Sequence, residues 1–257
     1  MYTFLQPITN ILIKIFMAFY NFVTGMMYDP SNMTPAQIGT GLVLAVFLIT
    51  LLVRLLILPL TIKQMKSTAK MQEVQPLVKK VQEKYKGNPE KANMEVMKIY
   101  KENKVSMSGG CLPLLIQMPI LFALYDVFRS VGVMPQFQDA SFLWIHQLSG
   151  HDPLYVLPVL SGLTTYLSSY LMQKGSGSGE NSPVPMGTMN IVMGCMLGFM
   201  SLRFPALLVI YWITGNLIQI VQTYFLIILP KKRKMVKASS EANVIDVTPK
   251  KNNKKKK

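Results

Sequence analysis

Long apolar stretches alternate with polar, lysine-rich ones along this chain. A helix rises about 1.5 Å per residue and the hydrocarbon layer of a membrane is about 30 Å thick, so about 20 apolar residues are needed to cross it. Residues 38–60, IGTGLVLAVFLITLLVRLLILPL, meet that length with Arg54 as their only charge. Residues 110–130 form a second stretch, ending near Asp126 and Arg129, and residues 154–173 a third without charge. The segment 186–229 is too long for one crossing and breaks at Arg203-Phe204-Pro205, because proline disfavours helix at itself and at the residue before it. Two further spans, 186–202 and 206–229, follow. The pattern predicts an all-α integral membrane protein with five transmembrane helices.

Residues 1–34 form an N-terminal apolar or amphipathic segment, of which residues 1–27 are less clear. The stretch ILIKIFMAFYNFV is apolar and aromatic but is interrupted by Asn10, Lys14 and Asn21. A sixth span, a signal-like segment and an amphipathic helix on the outer surface are all compatible with it, and the interruptions favour the surface helix. No cysteine precedes Cys111, so lipid attachment at a processed N-terminal cysteine is not expected.

Between the first two spans the period changes. Met71, Val74, Val78, Val81 and Tyr85 recur at spacings of three and four, one apolar stripe on a helix. Gly87-Asn88-Pro89 supplies a stop, an N-cap and a proline at the first helical position. Ala92, Val96, Ile99 and Tyr100 then form a matching face. Residues 61–106 are therefore expected to fold as an antiparallel helical hairpin, bent at Pro76.

Charge orients the whole. The chain of 257 residues carries 27 Lys and Arg against 12 Asp and Glu, a net charge of +15. Twenty-two of those cations fall in two blocks of eleven, 61–106 and 230–257. Short Lys- and Arg-rich loops stay in the cytoplasm. Five spans with both blocks inside place the start of the first span outside and the C-terminus inside. The loop 131–153, which has no Lys or Arg, then lies outside. The tail 231–257 is basic and polar and is expected to be disordered. Lys79, Lys80 and Lys84 on the hairpin, with Lys231, Lys232, Arg233 and Lys234, either simply hold these segments inside or form a docking surface for lipid headgroups or ribosomal RNA.

Polar residues within the spans are the candidates for function. An arginine near the middle of a span costs about 2.5–3.5 kcal/mol on insertion scales, unless its long side chain snorkels to the headgroups. Arg54 lies six residues, about 9 Å, from the predicted inner end of its span. Thr50 accompanies it, and Gln117 lies in the second span. Ser161, Thr165 and Ser168 share one face of the third, as do Trp212, Asn216, Gln219 and Thr223 in the fifth. Each residue alone reads as interhelical glue. Together, with a cation and no acid beside it, they point to a wet, positively charged cavity in the cytoplasmic half. In the fourth span Met186, Met189, Met193, Met196 and Met200 form a stripe that reads as packing, lipid contact or an adaptable surface. Gly194 and Gly198 read as a close helix approach.

Enzyme chemistry finds no support. His146 and His151 lie in the outer loop without a metal-ligating cluster, and Asp126 is the only acid inside a span. No catalytic residue, metal or cofactor is expected. GSGSG at 175–179 reads as a linker.

The runs GGCLPLLIQMPILFALY, VRLLILPLTIKQMKS and FPALLVIYWITGNLIQIVQ, with the hairpin sequence MQEVQPLVKKVQEKYKGNPEKANMEVMKIYKENKV, resemble the YidC-type insertases of the YidC/Oxa superfamily. The short Gram-positive form, which lacks a large outer domain, is the most similar, over residues 35–230. The resemblance implies five helices around a hydrophilic groove open to the cytoplasm and to lipid. It also implies that Arg54 attracts acidic outer tails of nascent membrane proteins, that Trp212 is the family's last-span tryptophan, and that the hairpin is needed for activity. The implied partners are nascent membrane proteins, membrane lipids, the ribosome and a Sec translocon, with no small-molecule substrate. The chain departs from its relatives at Ser168-Ser169, where a glutamine is common, and at His146, where an acid is common. A non-translocating assembly scaffold and a small-solute transporter or channel are the competing readings. The transporter is disfavoured by the missing intramembrane carboxylates and inverted repeats.

Overall fold

The structure, a computed structural model, describes residues 6–29, 31–105, 112–176, 186–230 and 233. Helices α1 (Gln6–Met27), α2 (Pro35–Leu56), α3 (Leu58–Lys84), α4 (Pro89–Glu102), α5 (Leu112–Gly132), α6 (Val156–Ser176), α7 (Met186–Ser201) and α8 (Ala206–Thr223) follow one another, and α8 continues into a π-helical turn, Tyr224–Ile228. Thr34 starts α2 through a capping box with Gln37, Pro35 taking the first helical position. Just ahead of it Asp29 accepts from the backbone and hydroxyl of Ser31, at 3.0 and 2.6 Å, which holds its carboxyl below the usual range.

The first predicted span is shorter than the sequence suggests. Its helix ends at Leu56, and Ile57 turns the chain into α3. Pro59, at the start of α3, has no N–H to offer the carbonyl four residues back, so the ladder of α2 cannot run on. Two residues, about 3 Å of rise, thus separate Arg54 from the end of its helix, instead of six.

Among the described residues three helices are long and apolar enough to cross a membrane: α1, α2, and α8 with its π turn. Helices α6 and α7 supply shorter apolar stretches, Val156–Met172 and Asn190–Ser201. Both α1 and α2 have 22 residues, and α1 is the less hydropathic, but packing separates them more clearly. Tyr20 and Thr24 of α1 meet the second turn of α2 at Gly41, Phe16 meets Phe128 near the end of α5, and Tyr20 meets Phe137 beyond it. Helix α1 therefore crosses one end of the bundle, the loop end.

The segment between α5 and α6 closes that end. Phe137, Ile145 and Leu148 are buried, and three backbone bonds tie the loop to α2 and α8: Ser141 N–H to the Pro35 carbonyl (3.0 Å), Ala206 N–H to Gly150 (2.7 Å) and Leu207 N–H to Leu148 (3.2 Å). Asp152, only 4% exposed, accepts from Trp144 Nε1 and from the N–H groups of Leu154 and Leu157, which fixes the entry to α6. Gly39 lets the loop approach, since a Cβ there would fall 1.9 Å from the Ser141 carbonyl oxygen.

At the other end α3 and α4 pack together with Val74, Val78 and Ala92 buried, and Asn88 caps α4 by accepting from Lys91 N–H at 3.0 Å. Helix α3 continues through Pro76 and also touches α5 and α6. Helices α6 and α7 meet through glycines: a Cβ on Gly162 would lie 2.9 Å from the Gly194 carbonyl oxygen, and one on Gly198 would lie 3.3 Å from that of Pro158. Met196 and Met200 face outward, exposed.

Candidate functional site

Helix α8 connects the polar residues of the other helices. Arg54 Nη2 donates to the Gly215 carbonyl at 3.0 Å and to Gln219 Oε1 at 3.5 Å. The missing side chain at Gly215 makes that approach possible, since a Cβ there would lie 3.2 Å from Nη2. The guanidinium is half-buried, and among the described residues no carboxylate pairs with it. Both of its acceptors are neutral, so the positive charge is hydrogen-bonded but not cancelled.

One helical step away, Asn216 Nδ2 donates to Thr165 Oγ1 (2.8 Å) and Thr164 Oγ1 (3.2 Å), joining α8 to α6. Gln117 Nε2 donates to Tyr211 Oη at 3.1 Å, joining α5 to α8. Arg54, Gln117, Thr165, Asn216 and Gln219, from four helices, thus converge on α8. The other three predicted residues behave differently. The Thr50 hydroxyl donates to the Val46 carbonyl and that of Ser168 to the Thr165 carbonyl, each within its own helix, and both residues are buried. Trp212 is half-buried in an aromatic row, its ring edge-on to Phe204 (5.8 Å), which meets Tyr125 in turn (6.1 Å).

Four contributors escaped the sequence reading: Thr164, Ser201, Tyr211 and Gly215. Ser201 bonds Ser161 across α6 and α7 at 2.9 Å. A signal for two of them was available, since Tyr211, Gly215 and Gln219 follow one another at spacings of four and so share a face. Near the hairpin end, Gln64 Nε2, Gln222 Oε1 and Thr223 Oγ1 are buried without hydrogen-bond partners, where α8 passes into its π turn. A separate cavity of about 650 Å³, lined by Gly162, Gly194, Tyr166 and Phe199 among others, lies between α6 and α7.

On the hairpin, Lys80 and Lys84 are exposed and Lys79 is half-buried, 3.9 Å from Glu83. Lys84 and Lys91 both sit 5.5 Å from the centre of the Tyr85 ring. Lys98 bonds Glu95 at 2.6 Å, and that hydrogen bond holds its ammonium above the usual lysine range. Arg233 is exposed, while Lys231, Lys232 and Lys234 lie outside the described residues, as do Cys111 and most of the tail and linker.

Residues 33–234 match the family model described as 60Kd inner membrane protein. A membrane protein insertase YidC from Clostridium perfringens is 52% identical over 237 residues, 91% of this chain and 95% of that protein. Another, from Caldanaerobacter subterraneus, is 41% identical over 196 residues, 76% and 88% of the respective chains. A crystal structure of active YidC insertase, with its first transmembrane domain resolved, superposes with a TM-score of 0.64 at 27% identity. It covers 84% of this chain, which spans 46% of that longer one. The chain belongs to the YidC family of membrane protein insertases.

Proposed function

We infer that the chain inserts newly made proteins into the bacterial plasma membrane and helps them fold, with the polar residues gathered on α8 lining its client groove. Five helices, α2, α5, α6, α7 and α8, span the membrane in this reading. The loop end lies outside with α1 across it, and the hairpin and C-terminus lie in the cytoplasm. The observation that carries it is the guanidinium of Arg54, held within the bundle by neutral acceptors only.

A client's hydrophilic outer tail must leave water on its way across. A polar groove shortens the low-dielectric path, and an uncancelled cation offsets part of the desolvation cost of acidic residues in that tail. Moving the client's apolar span from groove to lipid then contributes about 25 cal/mol per Å² of apolar surface transferred. No covalent step and no nucleotide is needed. The lysines of the hairpin and tail serve as contacts to the ribosome or to lipid headgroups, and a Sec translocon is a partner for larger clients.

The test is photocrosslinking from Gln117 and Gln219 to stalled nascent chains of a small single-span protein. Crosslinks that advance along the client's span as the chain lengthens are expected. Crosslinks to neighbouring helices alone, in a folded protein that binds ribosomes, would reduce these residues to packing and favour an assembly scaffold.

A further inference from the structure

A second polar site lies away from the client groove, where α1 crosses the end of α5. Gln6, Thr9, Asn10 and Ile13 of α1 face Asp126, Arg129, Ser130 and Val133 across a cavity of about 520 Å³. Thr9 is only 7% exposed, and its hydroxyl has no hydrogen-bond partner, an arrangement that normally costs stability unless something fills the site. Asp126 and Arg129 stand three residues apart on α5, yet among the described residues neither forms an ion pair. The cavity thus offers a carboxylate and a guanidinium, both unpaired, with no net charge between them.

We propose that this cavity binds the headgroup of a zwitterionic aminophospholipid, with the phosphate at Arg129 and Thr9 and the ammonium at Asp126. A neutral pair of separated charges complements a dipole better than it does an anion, whose charge Asp126 would repel. The surroundings favour a lipid over a soluble zwitterion. Val133 on its rim is 68% exposed, and Ile8 and Ile11, on the face of the same α1 turns that points away from the cavity, are 47% and 59% exposed, so apolar surface for acyl chains adjoins the site. The proposal rests on the membrane placement given above, which sets the loop end at the level of the outer headgroups.

The experiment uses the full chain, delipidated in mild detergent and offered phosphatidylethanolamine, phosphatidylglycerol or phosphatidylcholine, with retained lipid counted by native mass spectrometry. Phosphatidylethanolamine should be retained about tenfold more than phosphatidylglycerol, the scale of one charge-assisted hydrogen bond. Phosphatidylcholine, whose quaternary ammonium has no N–H to donate, should fall between them. Asp126→Asn should erase the preference, and Arg129→Gln, at an exposed position, should weaken retention of all three. Lys14→Gln, an exposed α1 residue outside the cavity, should change nothing. Equal retention of the three lipids by the unaltered protein, or a preference that survives Asp126→Asn, would overturn the proposal, and so would selective retention of phosphatidylglycerol. Thermal unfolding in lipid-free detergent confirms that each variant is folded. No client is present, so failure here leaves the insertion reading intact, and failure of crosslinking leaves the lipid result intact.

Discussion

The two ends of the bundle are built by opposite rules. At the loop end, backbone hydrogen bonds run from residues 141–150 to α2 and α8, aromatic rings meet edge to face, and the buried carboxylate of Asp152 has three donors. Toward the hairpin end, side chains replace backbone as the connectors, Arg54 and Gln219 stay half-buried, and four buried polar atoms, on Gln64, Gln82, Gln222 and Thr223, go without partners, against one, on Thr9, at the loop end. Unsatisfied groups in a low-dielectric interior destabilise, and admitting water or another molecule relieves that cost, so the end that keeps more of them gains more from being open. The contrast supports the groove proposed above, closed at the loop end and open toward the hairpin.

The sharpest way to break this comparison is at Gly39. A Cβ cannot stand 1.9 Å from the Ser141 carbonyl oxygen, so Gly39→Ala should dislodge the loop and cost about 3 kcal/mol or more. Thermal unfolding followed by tryptophan emission in a Trp212→Phe background, where Trp144 is the one emitter left, reads this directly, and a melting curve like that of the same background with Gly39 kept would mean that the loop end is not tied as described. Next in size is Asp152→Ala, which strands the Trp144 Nε1 proton and two backbone N–H groups in a buried site, an expected loss of about 2–3 kcal/mol.

Arg54→Ala sharpens the other side. Its effect should be small on melting but about tenfold on insertion of clients with acidic outer tails, about 1.4 kcal/mol, with Arg54→Lys recovering part of it. Reconstituted insertion assays that show equal loss for neutral-tailed clients would remove the electrostatic role. The smallest effect is expected at the hairpin surface. Pairing with Glu95 raises the Lys98 pKa, so its contribution is fully present below the unfolded-state lysine value and is lost only as pH rises through the raised one. Glu95→Gln should therefore leave melting unchanged to within error at every pH between 6 and 8 (about the range where lysine stays charged in either state), because an exposed pair contributes little.

Much of this was legible in the residues themselves. Apolar runs of about 20 residues give the helices, Asn88 and Pro89 mark the hairpin turn, and Gly194 and Gly198 announce a close helix contact, because helical periods and caps are local properties of the chain. Arg54, Gln117, Thr165, Asn216 and Gln219 were legible too, since polar residues in apolar runs need partners. What stayed hidden were the partners. Gly215 contributes a backbone carbonyl and an absent Cβ, and its spacing of four from Tyr211 and Gln219 marks a shared face but not that Arg54 meets it, while Gly162 was silent until α7 lay against it.

Alone, the sequence determined that this chain makes apolar helices, carries its charge in two blocks and holds a cation inside a span, because composition and period are set residue by residue. Only the tertiary structure decided that α1 crosses the loop end, that Trp212 faces an aromatic row while Gln219 faces Arg54, and that Thr50 and Ser168 turn back on their own helices. Those outcomes depend on which helix lies beside which, and hence on distances between residues as far apart in the chain as Arg54 and Gly215.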